Sequence, residues 1–151
     1  RALPAASARR LTESPSARIF MVAEMEYPRE ADPASQIRLR AYEKAGFRQV
    51  DSRQVSYMQP DFRSAEEIDR TGVRPLPLKL LMIEAGQPPL EQISGHELRT
   101  VVEALYAMYG AEFRDQDMQP CLESLKAYPG DAETLRLCLP TEVASPSGPN
   151  T

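Results

Sequence analysis

One phenol and two carboxylates are the side chains here best placed to move a proton. Tyr42 lies in the run Ile37-Arg38-Leu39-Arg40-Ala41-Tyr42-Glu43-Lys44-Ala45-Gly46-Phe47. With an unperturbed pKa near ~10, a phenol is protonated at neutral pH and can hand its proton to a departing anion. Tyr42 can equally be no more than the apolar partner of Phe47, its hydroxyl at the surface. Glu24 falls near the end of an apolar run, and strand ends facing a crevice are where α/β folds keep functional side chains. A carboxylate there can take an amine's proton through a water or hold a cation. Glu26, two residues on, has the same credentials, and both also fit solvated strand-end carboxylates. His96 is the single histidine, so multi-histidine metal sites are excluded and any His-dependent triad would have to use it. It suits the first turn of a helix better than a site. Cys121 and Cys138 have no metal or redox spacing and are expected to stay reduced in a cytoplasm. No metal is expected.

Positioning Tyr42 requires a helix that stops sharply. Gly46 is the residue type that enters left-handed φ freely, and Phe47 after it lands where a Schellman cap sets an apolar contact back on Tyr42. Asp32 can cap the other end, with Pro33 in a first turn where a missing N–H costs nothing. Positioning Glu24 requires a strand. Residues 18–26 (RIFMVAEME) read as one, apolar on both faces at its start, as befits a strand buried between helices. Residues 47–59 read as a strand or a hairpin turning at Asp51-Ser52, with 55–59 as its strand-like end before Pro60. A polar surface loop is expected over residues 61–75, with a helical turn at 65–69, and then a strand over 76–84.

Residues 42–47, Tyr-Glu-Lys-Ala-Gly-Phe, follow a short helix with a strand on either side. In this the chain resembles the C-terminal half of the GNAT acyltransferases, the GCN5-related N-acetyltransferases, over residues 1–90. The resemblance implies an α/β sandwich with a mixed sheet, and acyl transfer from acetyl-coenzyme A (acetyl-CoA) to an amine. It implies that Tyr42 protonates the departing thiolate, with Glu24 as the base or the amine-binding group. The family's helix commonly carries Asn, two residues, Ala, three residues, then the Tyr; here Ser35 stands at the Asn position and Arg38 at the Ala position. Those positions face the coenzyme in the family. Arg38 or Arg40 can meet a phosphate with a bidentate guanidinium fork, or form a solvated helix face. Arg70 and Arg74, on either side of Gly72, can grip an anionic group on the acceptor. The family holds the pyrophosphate on a turn of Gln or Arg, two residues, Gly, one residue, Gly or Ala. No two glycines here stand one residue apart, so a truncated or partial chain that starts downstream of that turn is expected. Residues 1–13 then read as the tail of the preceding helix and Ser14-Pro15-Ser16 as a turn.

After residue 90 the pattern changes. Ser94-Gly95-His96-Glu97 has capping-box spacing, and Leu98, Val101, Val102, Leu105 and Met108 or Tyr109 recur at helical intervals up to Gly110. A second helix is expected over residues 118–127 with Pro120 in its first turn, and a half-buried edge strand over 133–139. The chain thus divides into an acyltransferase-like part (1–90), a helical extension (91–140) and a tail expected to be disordered (141–151). A net charge of −4 and a pI near 5.1 lack the basic excess of nucleic-acid or anionic-membrane binders, and no apolar run reaches bilayer length. A cytoplasmic location is expected. The alternative to catalysis is a non-catalytic interaction module of the same descent. It would use the Leu98, Val101, Val102, Leu105 face, or an open sheet edge, to bind a partner chain or a second copy. Nothing in the sequence identifies the acceptor amine.

Overall fold

Helix α1 (Pro33–Lys44) is closed at both ends by its own sequence. Asp32 accepts from the backbone N–H of Ala34 at 3.1 Å, and Pro33 occupies the first turn. At the other end Gly46 adopts φ +98°, Phe47 N–H donates to the Tyr42 carbonyl and Gly46 N–H to that of Glu43, each at 3.0 Å. That is the expected Schellman pattern, and the rings of Tyr42 and Phe47 meet edge to face with centroids 5.0 Å apart. Residues 18–28 and 32–142 are described in this computed structural model. The helix tail and turn expected before them lie outside, as does the C-terminal tail beyond residue 142.

Strands β1 (Phe20–Met25), β5 (Lys79–Glu84), β2 (Arg48–Val50), β7 (Thr134–Cys138) and β6 (Gln92–Ser94) form one sheet in that order. All its ladders are antiparallel, which corrects the expected mixed sheet. The physical reason is an insertion. β1 and β2 run the same way, joined across α1, but β5 lies between them and opposes both. A short second ladder joins β3 (Met58–Gln59) to β4 (Leu76–Pro77), so the strand expected over 76–84 is broken at Leu78. Only 58–59 of the expected 55–59 strand pairs, because residues 51–55 close a turn through bonds from Gln54 and Val55 N–H to the Asp51 carbonyl.

The later part of the chain belongs to the same sheet. β7 is flanked by β2 and β6, so it is an interior strand rather than the expected edge, and the sheet runs across the division placed at residue 90. Helix α3 (Gly95–Gly110) starts with the full capping box: Ser94 Oγ accepts from Glu97 N–H, and the Glu97 carboxylate accepts from Ser94 N–H, both at 3.0 Å. Leu98 and Val102 are wholly buried, so the helix face expected to offer a docking surface is largely the core contact instead. Helix α4 (Asp115–Ser124) begins three residues before the expected start. Asp115 and Asp117 suit a helix first turn, and Pro120 sits one turn further in, where its missing N–H leaves one carbonyl unpaired. The expected turn at 65–69 is the helix α2 (Ala65–Thr71).

Strand alternation divides the sheet into two faces. One carries Phe20, Val22, Leu80, Met82, Leu135 and Leu137 against α3 and α4, and makes the larger core. The other carries Ala23, Met25, Leu81 and Ile83 against α1, with Leu39 and Phe47.

Candidate functional site

Glu24 occupies the penultimate position of β1, opposite Leu80, so its side chain emerges on the α3 face. Three neutral donors converge there from distant parts of the chain. Tyr57 OH donates to Glu24 Oε1 at 2.9 Å and Gln59 Nε2 to Oε2 at 2.8 Å. Tyr109 OH lies 2.9 and 2.8 Å from the two oxygens. Burial, together with the Glu24 carboxylate, pushes the Tyr57 phenol well above its usual range, and burial raises that of Tyr109. Both therefore remain donors at neutral pH. Tyr57 in turn stacks on Tyr106 at 5.9 Å, whose OH donates to the Met58 carbonyl at 2.8 Å. The carboxylate forms no ion pair among the described residues.

Tyr57 and Tyr109 escaped the sequence reading, although a signal existed. Tyr109 lies on the apolar stripe of α3, and a buried tyrosine hydroxyl needs a polar partner. Phe62, exposed, meets the rings of Tyr109 and Phe113 edge to face at 5.8 and 4.9 Å, walling one side of this cluster.

Among the described residues, strand β1 is the outer strand of the sheet. Ala85 N–H donates to the Ile19 carbonyl at 2.8 Å, so in the antiparallel alternation the backbone groups of Phe20, Val22 and Glu24 point away from β5. Tyr42 approaches from the other face. It packs, half-buried, in the cluster containing Ala23, Met25 and Ile83. The sheet thus separates Tyr42 from Glu24, which lie on its opposite faces.

The remaining expected residues do not gather there. Ser35 is buried and its hydroxyl donates to the Asp32 carbonyl at 2.8 Å, which ties it into the start of α1. Arg38 is exposed and lies 4.0 Å from the Asp32 carboxylate. Glu26 is exposed just past the end of β1, outside the Tyr57–Tyr109 cluster. Arg74 contributes its backbone N–H to Asp61 at 2.7 Å, and its side chain and that of Arg70 are exposed. Asp61, also gripped by the Arg63 guanidinium at 2.7 Å, is held far below the usual carboxylate range by that pairing.

A scan against protein-family models, a search of curated proteins and a search of solved structures each return no match. Cys121 and Cys138 are free, both pushed up to about 11 by burial, so each is a thiol and not a thiolate at neutral pH. No group of three or more His, Cys, Asp or Glu among the described residues is arranged to hold a metal ion, and none of the described helices is long and apolar enough to cross a membrane.

Proposed function

We propose that this chain carries the C-terminal half of a GNAT-type N-acetyltransferase, a cytoplasmic enzyme that transfers an acyl group from acetyl-CoA to an amine at the free edge of β1. One observation carries the reading: the edge strand is bordered on one face by a phenol held on a glycine-capped helix and on the other by a carboxylate among neutral donors. A sheet interior would keep the two apart, whereas a thioester lying along an open edge can be reached from both faces.

Bound there, the coenzyme supplies the acyl carbon and the leaving sulfur. Glu24 holds the incoming ammonium and takes a proton from it, leaving the neutral amine that can attack. The new C–N bond forms as the C–S bond breaks, and Tyr42 gives its proton to the sulfur. A thiol, with a reference pKa near ~8.5, is a stronger acid than a phenol near ~10, so the sulfur need not keep that proton: it returns to the Tyr42 oxygen as the coenzyme leaves, and the released thiolate takes its proton from solvent. Ser35 is tied to the Asp32 carbonyl and Arg38 lies beside the Asp32 carboxylate, so neither is turned toward β1 by its contacts.

Calorimetric titration of acetyl-CoA into the chain is the direct test. Saturation below a dissociation constant of about 1 mM, equivalent to about 4 kcal/mol, is expected. Tyr42→Phe should leave that binding intact while lowering turnover by roughly 10²- to 10⁴-fold, the usual contribution of a positioned acid. No heat at millimolar coenzyme sinks the reading.

One observation favours a second reading, an interaction module without catalysis. Met21 and Ile37 are 53% and 65% exposed, and Met21 lies on β1 itself. Self-association through that edge should give oligomers by light scattering, and a monodisperse monomer excludes it.

A further inference from the structure

Helix α3 lies alongside β1 and runs the same way, pinned at both ends. Arg18 pairs with Glu97 at the start, and Tyr109 bonds Glu24 at the end. Six residues of strand and twelve of helix separate these pins, and both spans come to about 18–20 Å, so the two elements stay in step. Between them opens a cavity of about 400 Å³ lined by Phe20, Val22, Thr100, Val101, Ala104, Leu105 and Met108. Its walls are almost wholly apolar. One step further along each element come Glu24 and Tyr109.

At that end the hydrogen bonding is incomplete. An ionised carboxylate offers about four acceptor positions, and Tyr57, Gln59 and Tyr109 bring three donor groups. Each is neutral, so the carboxylate's negative charge is solvated by dipoles and not cancelled.

We propose that this groove binds a primary amine bearing an extended apolar chain, its ammonium on Glu24 and its chain along Phe20, Val22, Leu105 and Met108. The charge fixes the head group: an anion is repelled, and a neutral alcohol forfeits the ion pair. The groove fixes the rest, since Phe20 and Glu24 are about 13 Å apart along the strand, room for a chain of several methylenes and too long for a compact polar amine. As the acceptor class of the acyl transfer the inference rests on the reading above, but the amine site itself stands without the coenzyme.

The test is therefore run on the intact chain in the absence of acetyl-CoA. n-Octylamine, n-butylamine and n-octanol are titrated by calorimetry below their micelle-forming range. Octylamine is expected to bind, each methylene added beyond butylamine tightening binding about fourfold. Octanol should bind at least tenfold more weakly than octylamine. Glu24→Gln should remove that preference for the amine, and Ala104→Phe, on an exposed helix position facing the groove, should block both ligands while leaving the thermal midpoint unchanged. Equal binding of octanol and octylamine, no dependence on chain length, or no amine binding at all overturns the proposal. Amine binding without coenzyme binding leaves it standing and removes only the acyltransferase reading.

Discussion

Glu24 and Lys79 are ionisable residues on neighbouring strands, one register step apart, and they point to opposite faces of the sheet. Lys79 is 1% exposed. Its ammonium donates to Gln49 Oε1 and the Pro140 carbonyl at 2.9 Å and to the Glu142 carbonyl at 3.0 Å, and lies 5.5 Å from the ring centre of Tyr27. Three donors meet three acceptors, and nothing is left to offer a ligand. Glu24 is half-open, has an acceptor position to spare and adjoins an apolar groove. A saturated buried charge is a structural tie; an unsaturated one at an edge is a site. Here the tie has a definite object, because Lys79 fastens residues 140–142 under the sheet, while Thr141 Oγ1 donates to Glu43 at 2.7 Å on the helix that carries Tyr42.

The largest effect should come from breaking that tie. Lys79→Met strands the buried Pro140 carbonyl, the part-buried Glu142 carbonyl and the Gln49 oxygen, and hydrogen bonds to a charged group each contribute roughly 1.5–3 kcal/mol, offset by the lysine's own desolvation cost. A net loss of about 3 kcal/mol in urea denaturation is expected. Glu24→Gln keeps one acceptor oxygen, and its new NH2 can be met by the Gln59 oxygen once that amide turns over, so it should cost under about 1 kcal/mol in the same assay. Equal losses in the two variants would erase the distinction between tie and site.

The two regions should also titrate with opposite signs. Burial raises the pKa of Tyr57 and Tyr109, so the unfolded chain releases those protons first, near pH ~10. The stability they carry is whole below that pH and drains as pH climbs toward their native values, at about 1.4 kcal/mol per pH unit for each proton. Burial lowers the pKa of Lys79, so the native chain releases that proton first, and stability rises with pH from its native value up to ~10.4. Denaturation curves between pH 8 and 11 should therefore flatten in Tyr57→Phe and steepen in Lys79→Met. Parallel curves in both variants would mean that neither group's burial is felt.

Local features of this fold are legible in the sequence and long-range ones are not. Asp32, Gly46 and Phe47 act within a few residues of the helix they terminate, and Ser94 and Glu97 cap α3 from three residues apart. Each could be read from spacing. The donors around Glu24 lie 33, 35 and 85 residues away, and no local pattern links them. Lys79 sits in the run Lys-Leu-Leu-Met-Ile, where a lysine at a strand start usually reaches solvent, yet here the chain returns over it 61 residues later. The sheet order fails for the same reason: only the tertiary insertion of β5 between β1 and β2 makes every ladder antiparallel.

On the α1 face, Gly46→Ala probes how firmly Tyr42 is held. At φ +98° an alanine is strained, and its Cβ would come within 3.2 Å of Ile83 Cδ1. A loss of about 1–2 kcal/mol is expected, lowering the thermal midpoint by roughly 2–8 °C. If the cap also sets the phenol, turnover should fall more in this variant than stability at the assay temperature explains.

Arg38→Ala should have the smallest effect, and it decides how far the α1 face takes part in binding. The side chain is 56% exposed and its one ionic neighbour among the described residues, Asp32, stands 4.0 Å away and is 48% exposed. Exposed pairs of this kind contribute roughly 0–1 kcal/mol, less in salt, so the thermal midpoint should be unchanged within error. A guanidinium on a coenzyme phosphate is a different matter, because its loss should weaken acetyl-CoA binding by about tenfold or more without touching stability. Unchanged coenzyme affinity in Arg38→Ala would confine ligand contact to the β1 edge and leave α1 with a single task, holding the phenol of Tyr42.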